Sequence, residues 1–263
     1  MVKRANFVML QKKKIIVGML VGAVLAGAAY GWTEHQRQLA LATPAEQVTA
    51  LMVNMSADQA SAVQLRRLVE HGHPLALRLL ARDYHLRGDK ASQVQALAWY
   101  QQAAAAGDHT ASYELAAMLV QGQQSAADPV QARHWLAKAA DLPAAQFLLG
   151  QLMRQGLGGA KDEAAGRALI EKAAHAGDRQ ALYTLANWYR YADGKPRDEA
   201  QAVRLYQQAA NRQYPPALQD LALAYEFGEL GLEVNPERAS QLRNMALHIA
   251  SCKDSHTALV RFF

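Results

Sequence analysis

Residues 96–107 read ALAWYQQAAAAG, and the spacing within this stretch recurs along the chain. Trp99 lies four residues before a pair of small residues, Ala103 and Ala104. The same mark recurs at Trp135 with Ala139-Ala140, Leu169 with Ala173-Ala174, Leu205 with Ala209-Ala210 and, in degenerate form, Leu242 with Ala246-Leu247. Successive pairs lie 36, 34, 36 and 37 residues apart. This regularity predicts tandem structural repeats.

A second mark precedes each of these stretches. A leucine is followed by a small residue, by a bulky residue four positions after the leucine, and then by a glycine. The five copies begin at Leu80, Leu115, Leu149, Leu185 and Leu221, and their glycines are Gly88, Gly122, Gly156, Gly194 and Gly228. Residues four apart share one face of a helix. The small residue is expected to let a neighbouring helix approach, and the glycine to end the helix in a left-handed conformation.

A helix-start signal follows each of the last four glycines. These signals are Asp128-Pro129, Asp162-Glu163, Asp198-Glu199 and Asn235-Pro236. Asp and Asn side chains cap helix N-termini, and proline or an acid suits the first turn. Each unit is therefore predicted to be a hairpin of two helices, A and B. One hairpin cannot bury both its faces, so the hairpins are expected to stack into a solenoid.

The motif LA-x-x-Y…G followed by A-x-x-W-Y-x-x-A-A-x-x-G resembles the Sel-1-like repeat, a relative of the tetratricopeptide repeat. The resemblance implies an all-α superhelix with five repeats over residues 74–250. A degenerate capping repeat is expected at 44–73, with its first helix at 45–54, and a cap or tail at 251–263. Pro143 and Gln213 replace the glycine expected after helix B, which leaves the geometry of those two turns open.

The amino terminus has the pattern of a membrane signal anchor. Residues 1–14 are basic, and residues 15–32 form an uncharged apolar run that is long enough to span a bilayer as one helix. The positive-inside rule places the following residues across a bacterial inner membrane, in the periplasm. Residues 33–43 are predicted to be a polar linker or a helix extension. A cleaved signal peptide, which would leave a soluble periplasmic protein, is the alternative.

Charge and composition exclude some function classes. The net charge is +5, but Lys3, Arg4 and Lys12–Lys14 account for all of it, so the remainder is formally neutral and nucleic acid is not an expected partner. No catalytic motif is present, and the sequence predicts neither an enzyme nor a cofactor. His71 with His73, and Cys252 with His256, are too few ligands for a closed metal site.

The candidate binding residues lie on the A helices, which line the inner face of tetratricopeptide-type arrays and, by resemblance, of this one. They stand two residues before, two after or five after each motif leucine. The predicted partner-binding set is Arg78, Arg82, Tyr113, Phe147, Gln151, Arg154, Tyr183, Asn187, Arg190 and Gln219. Aromatic residues beside arginines suit a mildly acidic protein partner. In the alternative interpretation the aromatics pack between A helices and the arginines are merely solvated.

The sequence thus predicts a membrane-anchored protein that binds another protein through the inner face of its repeats. Proteins of the resembled family with an export signal sometimes serve as immunity proteins that neutralise periplasmic toxins, such as secreted phospholipase effectors. The alternatives are a scaffold for envelope assembly and a module that binds peptidoglycan or another glycan.

Overall fold

The computed structural model describes residues 30–122 and 127–259, with side chains through residue 251. All regular structure in these ranges is helical. The helices are α1 (residues 30–41), α2 (Ala45–Asn54), α3 (Gln59–Glu70), α4 (Pro74–Arg87), α5 (Lys90–Ala105), α6 (His109–Gln121), α7 (Pro129–Lys138), α8 (Pro143–Gln155), α9 (Glu163–His175), α10 (Arg179–Tyr191), α11 (Glu199–Asn211), α12 (Pro215–Phe227) and α13 (Pro236–Leu259). The chain divides into two compact units, Met1–Ala76 and Leu77–Phe263.

In the first unit, α1 continues through residue 41, which agrees with the helix extension, one of the two alternatives for residues 33–43, and not with the polar linker. The polar run contains good helix formers, and Ala40 is buried at 8% exposure. The helix expected at 45–54 is present as α2. Most of the predicted anchor, residues 15–29, lies outside the described residues. Within the described ranges, no helix is long and apolar enough to cross a bilayer.

In the second unit, A helices (α4, α6, α8, α10, α12) alternate with B helices (α5, α7, α9, α11, α13). Each A helix from α6 onward packs most extensively on the B helix of its own repeat, and most B helices also contact the next A helix. The small residue after each motif leucine is buried, as predicted: Ala81, Ala116, Gly150, Ala186 and Ala222. The stacked hairpins therefore form the expected α/α solenoid.

A close helix crossing lies between α8 and α9 in the third repeat. A Cβ atom added to Gly150 would lie 2.6 Å from the carbonyl oxygen of Gly166, and one added to Gly166 would lie 2.5 Å from that of Gly150. Real Cβ atoms do not approach a backbone oxygen so closely. The two helices consequently touch backbone to backbone here, and the packing depends on the absence of both side chains.

The predicted N-caps of the B helices are confirmed. Asp128, Asp162, Asp198 and Asn235 each accept a hydrogen bond from the backbone N–H three residues later. The backbone N–H of each cap also donates to the carbonyl of the bulky A-helix residue, at Leu119, Met153, Tyr189 and Tyr225 (2.7–3.1 Å). This backbone hydrogen bond closes the loop between helix A and helix B in each of these repeats.

The prediction that glycine ends each A helix needs one correction. Gly122, Gly156 and Gly228 are the left-handed C-caps of α6, α8 and α12. In the fourth repeat Ala192 takes this position instead, with φ +57°, two residues before Gly194. The loop of this repeat spans residues 192–198, as long as the loops after α6 and α8, but its glycine stands two positions later in the loop.

The turns after helix B are Schellman motifs in which the first alanine of the small pair accepts the outer hydrogen bond. The backbone N–H groups of Asp108, Asp178 and Tyr214 donate to Ala103, Ala173 and Ala209, respectively. The residue before each donor has positive φ: Gly107, Gly177 and Gln213. Gln213 therefore keeps the geometry of glycine. Only two residues separate the small pair Ala139-Ala140 from Pro143, against four at the other three turns; this turn lacks a positive-φ residue, and Ala140 is exposed.

Replacing Gln213 with glycine is expected to raise the free energy of unfolding by about 1 kcal/mol. A non-glycine residue in the left-handed conformation costs about 1–2 kcal/mol, and the larger conformational entropy that glycine loses on folding offsets part of the gain. Gln213 is exposed, so no packing is lost. Urea unfolding of the full chain measures the change. Gln208→Gly, at an exposed position within α11, is the control and is expected to destabilise. A loss of stability in the Gln213 variant would contradict the assignment of strain.

Two B-helix arginines, Arg133 and Arg167, reach forward to the A–B loop of the next repeat; we call them the forward arginines. Arg133 donates to the carbonyls of Leu152 (2.7 Å) and Ala160 (3.2 Å). Arg167 donates to the carbonyl (2.9 Å) and the carboxylate (2.5 Å) of Asp193. Each arginine bonds a carbonyl in the loop after the next A helix, at Ala160 or Asp193, and Arg133 also bonds the Leu152 carbonyl within α8. Both arginines therefore join successive repeats.

In the fourth repeat, the residue at the position of the forward arginines and a buried residue of the next loop are both apolar. Val203 stands where the forward arginines stand, two residues before the bulky residue of helix B. Leu230, in the next loop, is buried with it in the same hydrophobic cluster, each at 8% exposure. Hydrophobic burial here replaces the hydrogen bonds of the earlier repeats, which preserves the contact between repeat and loop.

At the carboxyl end, α13 continues to Leu259, so the cap or tail expected at 251–263 is helical through that residue. The last small pair is degenerate, and its Leu247 is 68% exposed while Ala246 is buried. The side chains of Cys252 and His256, and the predicted capping contact of residues 257–263, lie outside the described side chains.

Candidate protein-binding face

The A helices of the second unit carry the predicted binding residues on their partly exposed side, which we call the A face. It comprises the residues two before, two after, five after and six after each motif leucine. Of the ten predicted residues, Arg82 and Gln219 are exposed, seven are partly buried, and Phe147 is buried. The A face is therefore a real surface, but its members differ in how far they are free to meet a partner.

Phe147 does not fit the prediction. It is only 5% exposed and belongs to the hydrophobic core of the second unit. The expectation that it contacts a partner is wrong for this conformation, because the ring is covered by the protein's own side chains. The alternative interpretation, packing between helices, holds at this position.

Arg78 and Arg154 connect neighbouring repeats. The Arg78 guanidinium donates to the Asp108 carboxylate at 2.8 Å, and Asp108 also caps α6. Arg154 lies over the ring of Trp188 in the next repeat, with 5.0 Å from the guanidinium carbon to the ring centroid. Its pairs with carboxylates are looser, 3.8 Å to Glu163 and to Asp193. These arginines thus position the repeats, which sequence reasoning did not anticipate.

The fourth and fifth repeats hold a connected polar cluster at the A face. The Tyr206 hydroxyl donates to Oδ1 of Asn187 at 2.5 Å, and the Tyr183 hydroxyl donates to Asp220 at 3.0 Å. The rings of Tyr183 and Tyr206 lie 5.7 Å apart. Burial raises the pKa of Tyr183, and a hydrogen bond with Asn187 partly opposes the shift. The cluster fixes the orientation of the Asn187 carboxamide.

Arg190 extends this cluster towards the loop of the fifth repeat. Its guanidinium donates to Glu229 at 2.7 Å. Burial favours the neutral form of the guanidinium and so lowers its pKa. The hydrogen bond with Tyr206 and the nearby negative charge together outweigh burial, and the pKa of Arg190 is raised. A cleft of about 660 Å³ opens beside this pair; it is lined by Arg190, Tyr191, Ala192, Arg197, Glu199, Gly228, Glu229, Leu230 and Gly231.

Sequence reasoning missed an apolar patch on the same face. Tyr191 and Phe227, each six residues after a motif leucine, are both 66% exposed, and Leu223 is 47% exposed. Leu223 and Phe227 are four apart on α12 and so share one face. The signal was available, since an aromatic residue occupies the last helical position only in these two repeats. Exposed aromatics beside a polar cluster are typical of binding surfaces.

At the other end of the A face, Glu114 is partly buried near Arg78, Arg82 and His85. Burial raises its pKa, and the charges of those three residues oppose the shift only in part. Arg82 itself is exposed and forms no ion pair within the described residues. This end of the face therefore presents an exposed positive charge close to the partly buried carboxyl group of Glu114.

Replacing Glu114 with glutamine is expected to stabilise the protein at pH 7. The pKa of this carboxyl group is higher in the folded than in the unfolded protein. Its ionised form, which prevails above the folded pKa, therefore lowers the free energy of unfolding. The gain should shrink as the pH falls towards the unfolded value, 4.5. Thermal unfolding of the wild type and of the Glu114→Gln variant between pH 4.5 and 7 measures the gain in stability. Glu237→Gln, at an exposed position, is the control. A pH-independent difference would contradict this explanation.

The histidines considered as ligands have other contacts. His73 is buried, its Nδ1 accepts from the backbone N–H of Ala76, and its Nε2 lies 3.2 Å from the carbonyl of Thr43. Its imidazole thus caps the start of α4. Among the described residues, no group of three or more His, Cys, Asp or Glu side chains could hold a metal ion.

Stacked helical hairpins with an open A face define a repeat scaffold of the kind that binds proteins. The Sel1 repeat family model matches residues 74–108, 109–142, 143–178, 179–214 and 215–241. The chain therefore belongs to the Sel1 repeat family. Proteins of this family act as protein–protein interaction modules and are generally non-catalytic scaffolds.

Solved structures agree with the fold. A Sel1 repeat protein from Oxalobacter formigenes is similar at 25% identity with a TM-score of 0.66, over 84% of this chain and 95% of that one. A protective antigen of uropathogenic Escherichia coli follows at 23% identity and 0.61, over 82% and 48%. The immunity protein Pa5087 of Pseudomonas aeruginosa gives 21% and 0.52, over 77% and 82%. A sequence comparison with curated proteins gives no match.

Proposed function

We propose that this protein binds a partner protein through the A face of its fourth and fifth repeats. The observation that carries the proposal is the exposed apolar patch of Tyr191, Leu223 and Phe227 beside the ordered cluster around Asn187. Large apolar residues surrounded by polar groups supply most of the free energy in protein interfaces. A soluble surface gains nothing from exposing two aromatic rings at equivalent positions of neighbouring repeats.

The role that we propose for this binding is immunity: the protein neutralises a toxin that acts in the periplasm, such as a secreted phospholipase. Neutralisation needs a complementary surface and no chemistry, which suits a scaffold without a catalytic motif. A protein of the same fold is an immunity protein in Pseudomonas aeruginosa. At 21% identity that likeness concerns the fold, so the immunity role of this chain is our proposal.

We also propose that residues 15–32 anchor the protein in the bacterial inner membrane, with the repeats in the periplasm. The support is the uncharged run itself and the lysines at positions 12–14 before it. Without protease, the intact protein should be recovered in the membrane fraction. Protease added to spheroplasts should digest the repeats. Protection from the protease would contradict the topology, and recovery of a shortened soluble form would favour the cleaved signal peptide.

Competition between sibling strains tests the immunity role. Cells that lack the gene should lose survival at least tenfold when mixed with the parent strain, and the wild-type gene should restore it. A Leu223→Glu, Phe227→Glu double variant should fail to restore survival, because the carboxylates prevent apolar contact. Val130→Glu, at a 65% exposed position of a B helix, is the matched control and should restore it.

The possible results separate the parts of the proposal. Equal survival with and without the gene would overturn the immunity role. A photo-cross-linker at position 219 is used in the wild type and in the double variant. If it captures a partner protein from the same cells in the wild type and not in the double variant, protein binding by the A face is supported. Full protection by the folded double variant would place the binding surface elsewhere and overturn the A-face assignment.

A further inference from the structure

The first compact unit contains a pocket of its own, and none of the residues that line it belongs to the A face. The pocket has a volume of about 210 Å³ and is lined by residues of α1, α2 and α3. Each helix contributes one leucine: Leu39, Leu51 and Leu68. Each helix also contributes one glutamine: Gln36, Gln47 and Gln64. Apolar walls with a few polar groups are typical of sites for small ligands.

Arg67 of α3 gives this pocket a positive charge. Its guanidinium forms no ion pair and no hydrogen bond within the described residues, and the same holds for the side chains of the three glutamines. Of the described residues that line the pocket, none is Asp or Glu. A guanidinium binds phosphate through two parallel hydrogen bonds, and a carboxamide can both donate and accept. The lining therefore suits a phosphate group that carries carbonyl or hydroxyl oxygens on either side.

The pocket begins one helical turn after Trp32. Trp32, Gln36 and Leu39 share one face of α1, because they follow each other at spacings of four and three residues. The Trp32 side chain is 66% exposed. Gln36 lies at most about 6 Å beyond Trp32 along the helix, and the headgroup layer of a bilayer is about 5–8 Å deep. With residues 15–32 in the membrane, as proposed above, this end of the pocket lies at the level of the lipid headgroups.

The three helices fix the order of the polar groups along the pocket. The carbonyl of Thr43, just after α1, lies 3.2 Å from Nε2 of His73, just after α3. The two helices therefore finish at the same end of the unit, and α2 runs back between them. Gln36 and Gln64 consequently lie towards the headgroup level, Arg67 lies almost one turn further along α3, and the glutamine at the start of α2 lies at the far end.

We infer that this pocket binds the headgroup of an anionic phospholipid of the membrane in which the protein is anchored. The acyl chains pass Trp32 into the bilayer, and Gln36 and Gln64 donate to the ester carbonyls. Arg67 binds the phosphate, and Gln47 binds a hydroxyl group of the headgroup. A choline headgroup is disfavoured, because the lining offers no carboxylate to its ammonium group. The inference rests on the proposed membrane anchor and gives the first unit a function separate from partner binding.

Short-chain lipids test the pocket without depending on the anchor. Full-length protein in maltoside detergent is titrated with dihexanoyl phosphatidylglycerol, and native mass spectrometry measures the fraction with lipid bound. The wild type should bind one molecule about tenfold more tightly than dihexanoyl phosphatidylcholine, whose ammonium group would stay unpaired. Arg67→Gln should bind phosphatidylglycerol about tenfold more weakly than the wild type, the loss of one charge-assisted hydrogen bond. Folding does not depend on Arg67, since its side chain is exposed and forms no bond within the described residues.

Arg66→Gln is the matched control for the lost charge. Arg66 is the exposed neighbour of Arg67 on α3 and does not line the pocket, so this variant should bind within about twofold of the wild type. A second pair adds a charge. Gln36→Glu should weaken binding about tenfold by repelling the phosphate, whereas Ala50→Glu, at an exposed position of α2 outside the pocket, should not.

The results that would overturn the inference are distinct from those that concern the anchor. Equal binding by the Arg67 and Arg66 variants, or equal affinity of the wild type for the two lipids, would overturn the inference. Displacement of the lipid by an equal concentration of glycerol phosphate would show that the pocket recognises a soluble phosphate, and would overturn the assignment to a lipid. Failure of the anchor proposal would instead appear in the spheroplast experiment, where a shortened soluble form would be recovered.

Discussion

Replacing Gly150 with alanine is expected to lower the free energy of unfolding by about 2–3 kcal/mol, the cost of overpacking a close helix crossing. The new Cβ would lie 2.6 Å from the carbonyl oxygen of Gly166 and 2.8 Å from Cγ1 of Ile170. The oxygen belongs to the backbone of α9 and cannot move without shifting the helix. The sign is informative, since Gly→Ala within a helix ordinarily stabilises by about 1 kcal/mol.

Urea unfolding monitored by circular dichroism measures this loss. Gln155→Ala, at an exposed position of the same helix, is the control and should change the free energy of unfolding by less than about 0.5 kcal/mol. Gly166→Ala should cost a similar amount, and the double variant should cost less than the two single changes together, because either change already separates the helices. A Gly150 variant as stable as the wild type would show that α8 and α9 are not in backbone contact.

Replacing Arg167 with alanine is expected to lower the free energy of unfolding by about 1.5–3 kcal/mol, the range for hydrogen bonds that involve a charged group. Its guanidinium, with the side chain 18% exposed, bonds both the carbonyl and the carboxylate of Asp193. It also lies 4.6 Å from the centroid of the Trp188 ring. The substitution leaves the Asp193 carbonyl without its donor and removes the cation from the buried indole.

Two variants separate the geometry of Arg167 from its charge. Arg167→Lys keeps the charge but lacks the planar fork that reaches two oxygens, and should recover less than half of the loss. Arg204→Ala removes an exposed arginine whose side chain bonds only Gln201 within the described structure, and should change stability by less than about 0.5 kcal/mol. Full rescue by lysine would show that charge alone matters at this position.

Local rules were sufficient to predict most of the fold. The N-caps at Asp128 and Asp162 and the helix at residues 45–54 follow from signals within a few residues of each other. The repeat itself identified the hairpins, because a spacing repeated five times reveals packing that no single copy shows. The exceptions, Ala192 and Gln213, are positions where neighbouring bonds hold a conformation that the local residue disfavours.

The candidate site was predicted less completely, for a physical reason. Helical spacing shows which residues share a face, but the partner of each residue comes from another helix. Tyr206 is 19 positions from Asn187, and Asp220 is 37 from Tyr183. The exposure of Phe147 depends in the same way on helices that precede and follow it. The sequence could therefore locate the A face without separating its buried residues from its open ones.

The forward arginines also imply an order of events during synthesis. Arg133 and Arg167 leave the ribosome before the residues that accept their hydrogen bonds, which lie 19 to 27 positions later in the chain. Until then each guanidinium is a hydrated cation at the growing edge of the nascent chain. As each next loop emerges, the exposed charge is withdrawn from that edge and a new one takes its place. With Arg133 and then Arg167, the exposed positive charge therefore shifts from one repeat to the next as synthesis proceeds. The series ends at the fourth repeat, where Val203 and Leu230 are buried in the same hydrophobic cluster.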